Sequence, residues 1–384
     1  MSLECMGLND DGSKQYLAEI AGQFTQGAEI DAIAPLGNGN INSTFLITLK
    51  GRAPTPNNAQ PQRFVLQRIN AQVFPQPELV IQNMAVLSEH LGKPTAPLSH
   101  RWETPTILPT QQGKNFWIDE DGEYWRAISF VENSHVRESV EDVRHAREVG
   151  YGLAMFHGLI STLNADRLAD TLPGFHITPT YLADYEQVLA TRFSADAADA
   201  DDLTQFCLSF VEARRDWAHV LEKAKALGHL HVRPIHGDPK VNNILLDDSG
   251  KAISLIDLDT LKPGLVHYDI GDCLRSGCNP LGEETENWQH VTFDTGLAKA
   301  MLQGYLSLAK DFLTEQDYDY MYDAIRLIAF ELGLRFFTDY LAGNVYFKVK
   351  HPTHNLTRAL VQFKLTESIE QQADTLKAII QALR

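Results

Sequence analysis

The apolar positions of this chain change rhythm once. Up to about residue 131 they fall in short runs bounded by Gly, Pro and Asn, as strands and turns do; beyond Glu138 they recur at i, i+3 and i+4, as on one face of a helix. Strands are expected over residues 30–36, 45–49 and 64–69, and a hairpin joins 116–118 to 124–131 around a turn at 119–122. Two helices accompany them. Residues 13–24 place Tyr16, Leu17, Ile20, Ala21 and Phe24 on one face with Ser13 as the cap, and 77–91 opens on Pro77, where no N–H is missed. The polar run 52–62, with Pro54, Pro56 and Pro61, reads as a hairpin loop. In the second part, helices are expected over 140–157, stopped by Gly158, and over 181–190, 203–227, 294–311, 315–340 and from 355 to the end. Asp196, Asp199, Asp201 and Asp202 read as a solvated loop. The polar Glu132-Asn133-Ser134 marks the boundary between a lobe at 1–132 and a helical lobe at 133–384.

One stretch interrupts the helical part. His236-Gly237-Asp238-Pro239-Lys240-Val241-Asn242-Asn243 reads as a tight loop feeding the buried strand Ile244-Leu245-Leu246. A turn at 247–250 and a second strand ending on Ile256-Asp257-Leu258-Asp259 follow. Two short strands thus bring Asp238, Asn243 and Asp257 towards one point. A carboxylate, an amide five residues later and a carboxylate after the next strand is a kinase arrangement. The first Asp orients or deprotonates a hydroxyl, and Asn and the second Asp hold Mg²⁺ on ATP phosphates.

That chemistry asks for companions elsewhere. Gly37-Asn38-Gly39-Asn40-Ile41-Asn42 lies between two expected strands, and glycines let backbone N–H groups approach phosphates; the same composition also suits a plain turn. On the third strand, where a kinase has its phosphate-gripping Lys, stand Gln67 and Arg68. Strand faces alternate, so only one of them points into a cleft. Arg68 would supply charge, Gln67 a hydrogen bond. Glu78 and Glu89 on the helix after it either brace that side chain or face solvent. Phe130 to Asn133, at the lobe crossing, would meet adenine, with Phe130 and Glu132 among the nucleotide-binding residues. Asp269 is placed to accept N–H groups of the 236–243 loop, Asp272 reads as a cap, and Arg275, one turn on, faces an anionic group or an acid. His157 reads as a hydrogen-bonded core histidine. Glu331, Arg335 and Asp339 recur every fourth residue, as an ion-pair ladder or as one wall of a substrate pocket.

Bulk properties narrow the partners. The 384 residues exceed what one core usually serves, and 44% hydrophobic with 22% charged residues is the composition of a globular protein. A net charge of −17 repels nucleic acid and anionic lipid, although a local Lys and a metal ion still accommodate a nucleotide. No run reaches the roughly 20 apolar residues of a membrane span, and the first ten residues lack the pattern of a signal peptide. Cys5, Cys207, Cys273 and Cys278 fit neither a zinc motif nor a disulfide framework, so a cytoplasmic protein with reduced thiols is expected. Oligomeric state is not legible.

His236-Gly237-Asp238 with Asn243, then Ile256-Asp257, then Asp269-Ile270-Gly271, resembles the aminoglycoside phosphotransferase and choline kinase superfamily. The resemblance implies an α+β, bilobal protein-kinase-like fold, with a β-rich, nucleotide-binding N-lobe and a mainly helical, catalytic and substrate-binding C-lobe. Finer matches are Gly37 to Asn42, Leu66-Gln67-Arg68-Ile69-Asn70, Val73-Phe74, Asp257-Leu258-Asp259-Thr260, Glu331 to Phe336, Tyr346-Phe347-Lys348 and His354-Asn355-Leu356. These are similar to the N-acetylhexosamine 1-kinase subgroup, which phosphorylates the anomeric hydroxyl of GlcNAc or GalNAc with ATP and Mg²⁺. The resemblance assigns catalysis to Asp238, a γ-phosphate contact to Lys240, the metal to Asn243 and Asp257, and hexosamine contacts to Arg335 and Tyr346. The Gln67-Arg68 pair is shared with that subgroup.

Overall fold

A computed structural model describes residues 11–37, 41–51, 62–92, 100–193 and 201–384. The expectations for Cys5, Asn38, Gly39, Asn40, Asp196, Asp199 and nearly all of the 52–62 loop lie outside them. The chain divides into two compact units. The first takes residues 1–134 together with two short returns, 166–171 and 258–261; the second takes 135–165, 172–257 and 262–384.

The alternating runs of the first unit pair antiparallel. β1 (Ile30–Pro35), β2 (Ser43–Leu49), β3 (Arg63–Arg68), β4 (Ile107–Leu108), β5 (Trp117–Ile118) and β6 (Tyr124–Ser129) form one sheet in the order β1-β2-β3-β6-β4, with β5 on β6. α1 (Asp11–Gly22) supplies Leu17, Ile20 and Ala21 to a core shared with Ile47, Phe64, Leu66, Trp125 and Ala127. Successive strand residues point to opposite faces, so Phe64 and Leu66 look towards α1 while Val65 and Gln67 look the other way. α2 (Pro77–Leu91) carries Pro77 in its first turn as expected. Ser13 is not a cap: α1 begins before it, and its buried hydroxyl sits within the helix.

The second unit is mainly helical. α3 (Val143–Ile160) starts on Asp142, whose carboxylate accepts from the His145 N–H, and runs through Gly158 to Ile160. α4 (Thr178–Val188) continues as a wider turn over Leu189–Phe193. The helix expected over 203–227 is broken into α5 (Asp202–Glu212) and α6 (Val220–Ala226). Just past the end of α5, Arg214 folds back over the Phe210 ring and pairs with Glu370. Asp201 is no loop acid; it caps α5 by accepting from the Thr204 N–H. The short strands β7 (Arg233–Ile235) with β10 (Lys262–Gly264), and β8 (Ile244–Leu246) with β9 (Ala252–Leu255), form two antiparallel pairs. α7 (Val266–Gly277), α8 (Thr295–Ala309), α9 (Glu315–Asp319), α10 (Met321–Leu341), α11 (His354–Gln371) and α12 (Ala373–Leu383) complete it. The long stretch expected over 315–340 thus breaks at Tyr320, whose hydroxyl meets His229. The last one breaks at Gln372, whose amide donates to the Phe293 carbonyl. No helix among the described residues is long and apolar enough to cross a membrane.

Candidate active site

The loop between β7 and β8 is held by its backbone. Gly237 has a φ of +88°, a conformation glycine adopts without strain. Asp269 on α7 accepts from the N–H of His236 (2.7 Å) through Oδ2 and from that of Gly237 (2.8 Å) through Oδ1. His157 lies 2.8 Å from the same Oδ2 by Nε2 and 3.0 Å from the Tyr305 hydroxyl by Nδ1. The structural role expected of Asp269 and the core role expected of His157 are therefore one network. His236 donates from Nε2 to the Ile256 carbonyl (2.9 Å) and accepts the Asp238 N–H at Nδ1 (3.2 Å). This is the neutral imidazole, and burial holds its pKa below the ordinary value.

The same wiring brings the three motif residues together. The Asn243 amide donates to the Asp238 carbonyl (2.7 Å), and the Asn243 carbonyl accepts the Ile256 N–H (2.9 Å), one residue before Asp257. Asp257 is exposed at a φ of +64°, a left-handed backbone that aspartate tolerates better than most residues. Lys240 places Nζ 2.8 Å from Asp238 Oδ2. The Asp238 carboxylate raises the Lys240 pKa, so the ammonium is charged at neutral pH. Asn243 Oδ1 and the Asp257 carboxylate are hard oxygen donors. Among the described residues no cluster of three His, Cys, Asp or Glu is arranged to hold a metal. A donor pair of this kind fits Mg²⁺, which takes one or two carboxylates and completes its shell with water and phosphate oxygens.

The side chains read as a ladder on α10 each engage a different neighbour. Glu331 meets His176 and Thr178; Asp339 accepts the N–H groups of Val345, Tyr346 and Phe347 and the Asn355 amide. Asp339 thus fixes the loop that carries Tyr346, a residue 63% exposed. Arg335 lies over three rings, Phe175, Tyr181 and Phe347, at 5.2, 5.0 and 5.5 Å. Burial works against its charge, yet Tyr181, Glu331, Tyr346 and Asp238 keep its pKa above the ordinary arginine value. Arg275 is buried and engages two acids, Asp272 (2.8 Å) and Glu283 (3.0 Å). Asp272 is not a cap: it lies mid-way along α7, with Arg275 one turn away as its partner. Burial would raise the Asp272 pKa, but Arg275, His176 and Lys240 outweigh it and hold the carboxyl below its usual range.

In the β-rich unit, Gly37 turns at a φ of +73°, and the Leu36 N–H donates to the Thr44 carbonyl across the hairpin. Gln67 pairs across strands with Arg126 on β6, and its Oε1 accepts from Arg126 at 3.1 and 2.7 Å. Arg126 is 1% exposed and forms an ion pair with Asp259, which also accepts from the Asn42 amide. A buried cation thus lies on the Gln67 face of β3. Arg68, on the opposite face, donates to Ser43 and lies 3.8 Å from Glu123. Glu78 is exposed and Glu89 pairs with Arg167 near the surface, so the solvent-facing alternative describes both. Phe130 lies under the Arg63 guanidinium, which also pairs with Glu132. Sequence reasoning missed Arg126 and His176; only the strand register and the tertiary partners single them out.

A profile of the phosphotransferase enzyme family matches residues 32–315. Three proteins of solved structure illustrate the fold. An aminoglycoside phosphotransferase from Alicyclobacillus acidocaldarius is 17% identical, with a TM-score of 0.56 over 95% of this chain and 94% of that one. A choline kinase from Cryptosporidium parvum is 14% identical, with a TM-score of 0.58 over 96% and 97%. A Plasmodium vivax ethanolamine kinase is 14% identical, with a TM-score of 0.57 over 94% and 92%. The fold is the protein-kinase-like one, an antiparallel sheet in the first unit and helices in the second. With the greater part of its length matched by the family profile, the chain belongs to the phosphotransferase enzyme family.

Proposed function

We propose that this phosphotransferase transfers the γ-phosphoryl group of ATP to the anomeric hydroxyl of an N-acetylhexosamine, GlcNAc or GalNAc. Asp238 orients the hydroxyl. The hydroxyl oxygen forms a bond to the γ-phosphorus, the bond to the β–γ bridging oxygen breaks, ADP leaves, and the proton passes to Asp238 late in transfer. Asn243 and Asp257 would hold Mg²⁺, which neutralises charge on the phosphates. Lys240 faces the γ-phosphate. Gly37 to Asn42, with Gln67 or Arg68, bind the remaining phosphates, and Phe130 to Asn133 the adenine. Positioning and charge neutralisation supply most of the rate because the transition state is loose.

The observation that carries the choice of acceptor is the aromatic box around Arg335. Phe175, Tyr181 and Phe347 form the kind of cage that elsewhere receives a ligand cation, and here it holds the protein's own guanidinium. With Lys240 beside Asp238, this end of the site favours neutral, oxygen-rich acceptors over choline or an aminoglycoside. Arg335, Tyr346 and Arg275 would take the sugar. The test is a coupled ADP-release screen across N-acetylhexosamines, hexoses, choline and aminoglycosides, with phosphorus NMR on each hit. An anomeric phosphate on GlcNAc or GalNAc is expected. Preferred turnover of a cationic acceptor, or Mg·ATP binding without turnover of any acceptor, would overturn the reading.

A further inference from the structure

His176 is buried, 4% exposed, and stands at a φ of +65°, outside any regular element. Its Nε2 lies 2.8 Å from the carbonyl oxygen of Gly237, and its Nδ1 lies 2.9 Å from Oε1 of Glu331. A carbonyl has no proton to give, so Nε2 carries one. At Nδ1 the proton belongs to the imidazole or to the carboxyl. Glu331 Oε2 already accepts the Thr178 hydroxyl (2.7 Å), which favours the carboxylate.

We propose that His176 is an imidazolium that acts as a positioning residue of phosphoryl transfer, clamped between Glu331 and the Gly237 carbonyl so as to fix the peptide that leads into Asp238. The proposal rests on the catalytic assignment of Asp238. The groups facing the ring agree with a positive charge. Glu331 comes from α10 and Asp272 from α7; the Tyr268 ring of α7 stacks on the imidazole at 5.6 Å, and Tyr181 of α4 meets the His176 backbone. Lys262 Nζ is spent on the carbonyls of Leu172 and Phe175. Burial opposes the charge, and Glu331 followed by Asp272 outweighs it, so the His176 pKa is raised. The clamp complements Asp269: one anion holds the N–H groups of His236 and Gly237, and one cation holds the Gly237 carbonyl.

Nitrogen-15 NMR of the intact wild-type protein at about pH 8, above the ordinary histidine pKa of about 6.5, reads the state without reference to activity. Two ring N–H signals for His176 are expected, and one in Glu331→Gln. His176→Phe keeps the ring against Tyr268 and removes both hydrogen bonds. It should lower kcat tenfold or more with the KM for ATP changed less than threefold, and His176→Gln, which retains donors, should recover part of the loss. A single ring N–H in the wild type overturns the imidazolium, whether or not the variants fold. Unchanged kcat in a folded His176→Phe overturns the positioning role. Loss of all transfer in the wild type would instead count against the catalytic reading of Asp238, while the NMR result stands separately.

Discussion

In the proposed mechanism Asp238 acts through its carboxylate oxygens, so replacing one of them by an amide nitrogen is the informative change. Asp238→Asn should leave the loop folded, since the Asp269 bonds go to neighbouring backbone, and should reduce phosphoryl transfer by about 10²–10⁴-fold, the usual size of a lost acid–base contribution. Steady-state ADP release with a circular-dichroism check on folding measures it. Asp269→Ala removes a buried carboxylate from two N–H groups and His157. Leaving those groups without their anion should cost about 3–5 kcal/mol in urea unfolding. His176 has a raised folded pKa, so its contribution to stability is full below the unfolded value of about 6.5 and is lost as pH rises through the folded one. The stability advantage of wild type over Glu331→Gln should therefore narrow as pH rises above neutrality, read by urea midpoints across pH. Asp238, Asn243 and Asp257 were legible because their spacing is local: a tight loop and one short hairpin set their geometry. Arg126 and His176 were not, because their partners Gln67 and Glu331 are 59 and 155 residues away.

The helices and strands were legible where periodicity ran uninterrupted, and their breaks were not. At or beside these breaks Tyr320, Arg214 and Gln372 bond to distant groups that no local pattern announces. Packing between α3 and α8 shows the same dependence. A Cβ on Gly150 would lie 1.9 Å from the Met301 carbonyl oxygen, and one on Gly304 1.9 Å from that of Arg147. Each helix thus seats a glycine against the backbone of the other, and neither residue is needed for the helix that contains it. Gly304→Ala should destabilise although alanine is the better helix former, because the helices must separate; overpacking of this kind costs about 1–3 kcal/mol or more. Chemical denaturation of Gly150→Ala, Gly304→Ala and the double variant tests it, and sub-additive losses in the double variant are expected, since one separation relieves both clashes.

Net charge acts over the molecule as a whole. At −17 the protein should pass a heparin or duplex-DNA column unretained at about 0.15 M salt, where the Debye length is about 8 Å and only a local basic patch would bind. Retention there would contradict the reading of its partners. The two units also show where a linear reading stops. The polar stretch at 132–134 coincides with the end of the first continuous segment of unit one, but 166–171 and 258–261 return to that unit from far along the chain. The second return carries Asp259, which completes the Asn42–Arg126–Gln67 network. Periodicity, turn residues and short motif spacings act within a few residues of each other, and the amino-acid sequence therefore specified the β-rich and helical parts and the loop and short hairpin that carry Asp238, Asn243 and Asp257. The cation beside β3, the histidine against the Gly237 carbonyl and the arginine inside its aromatic box depend on residues that meet only when distant segments pack, and those the folded chain alone decided.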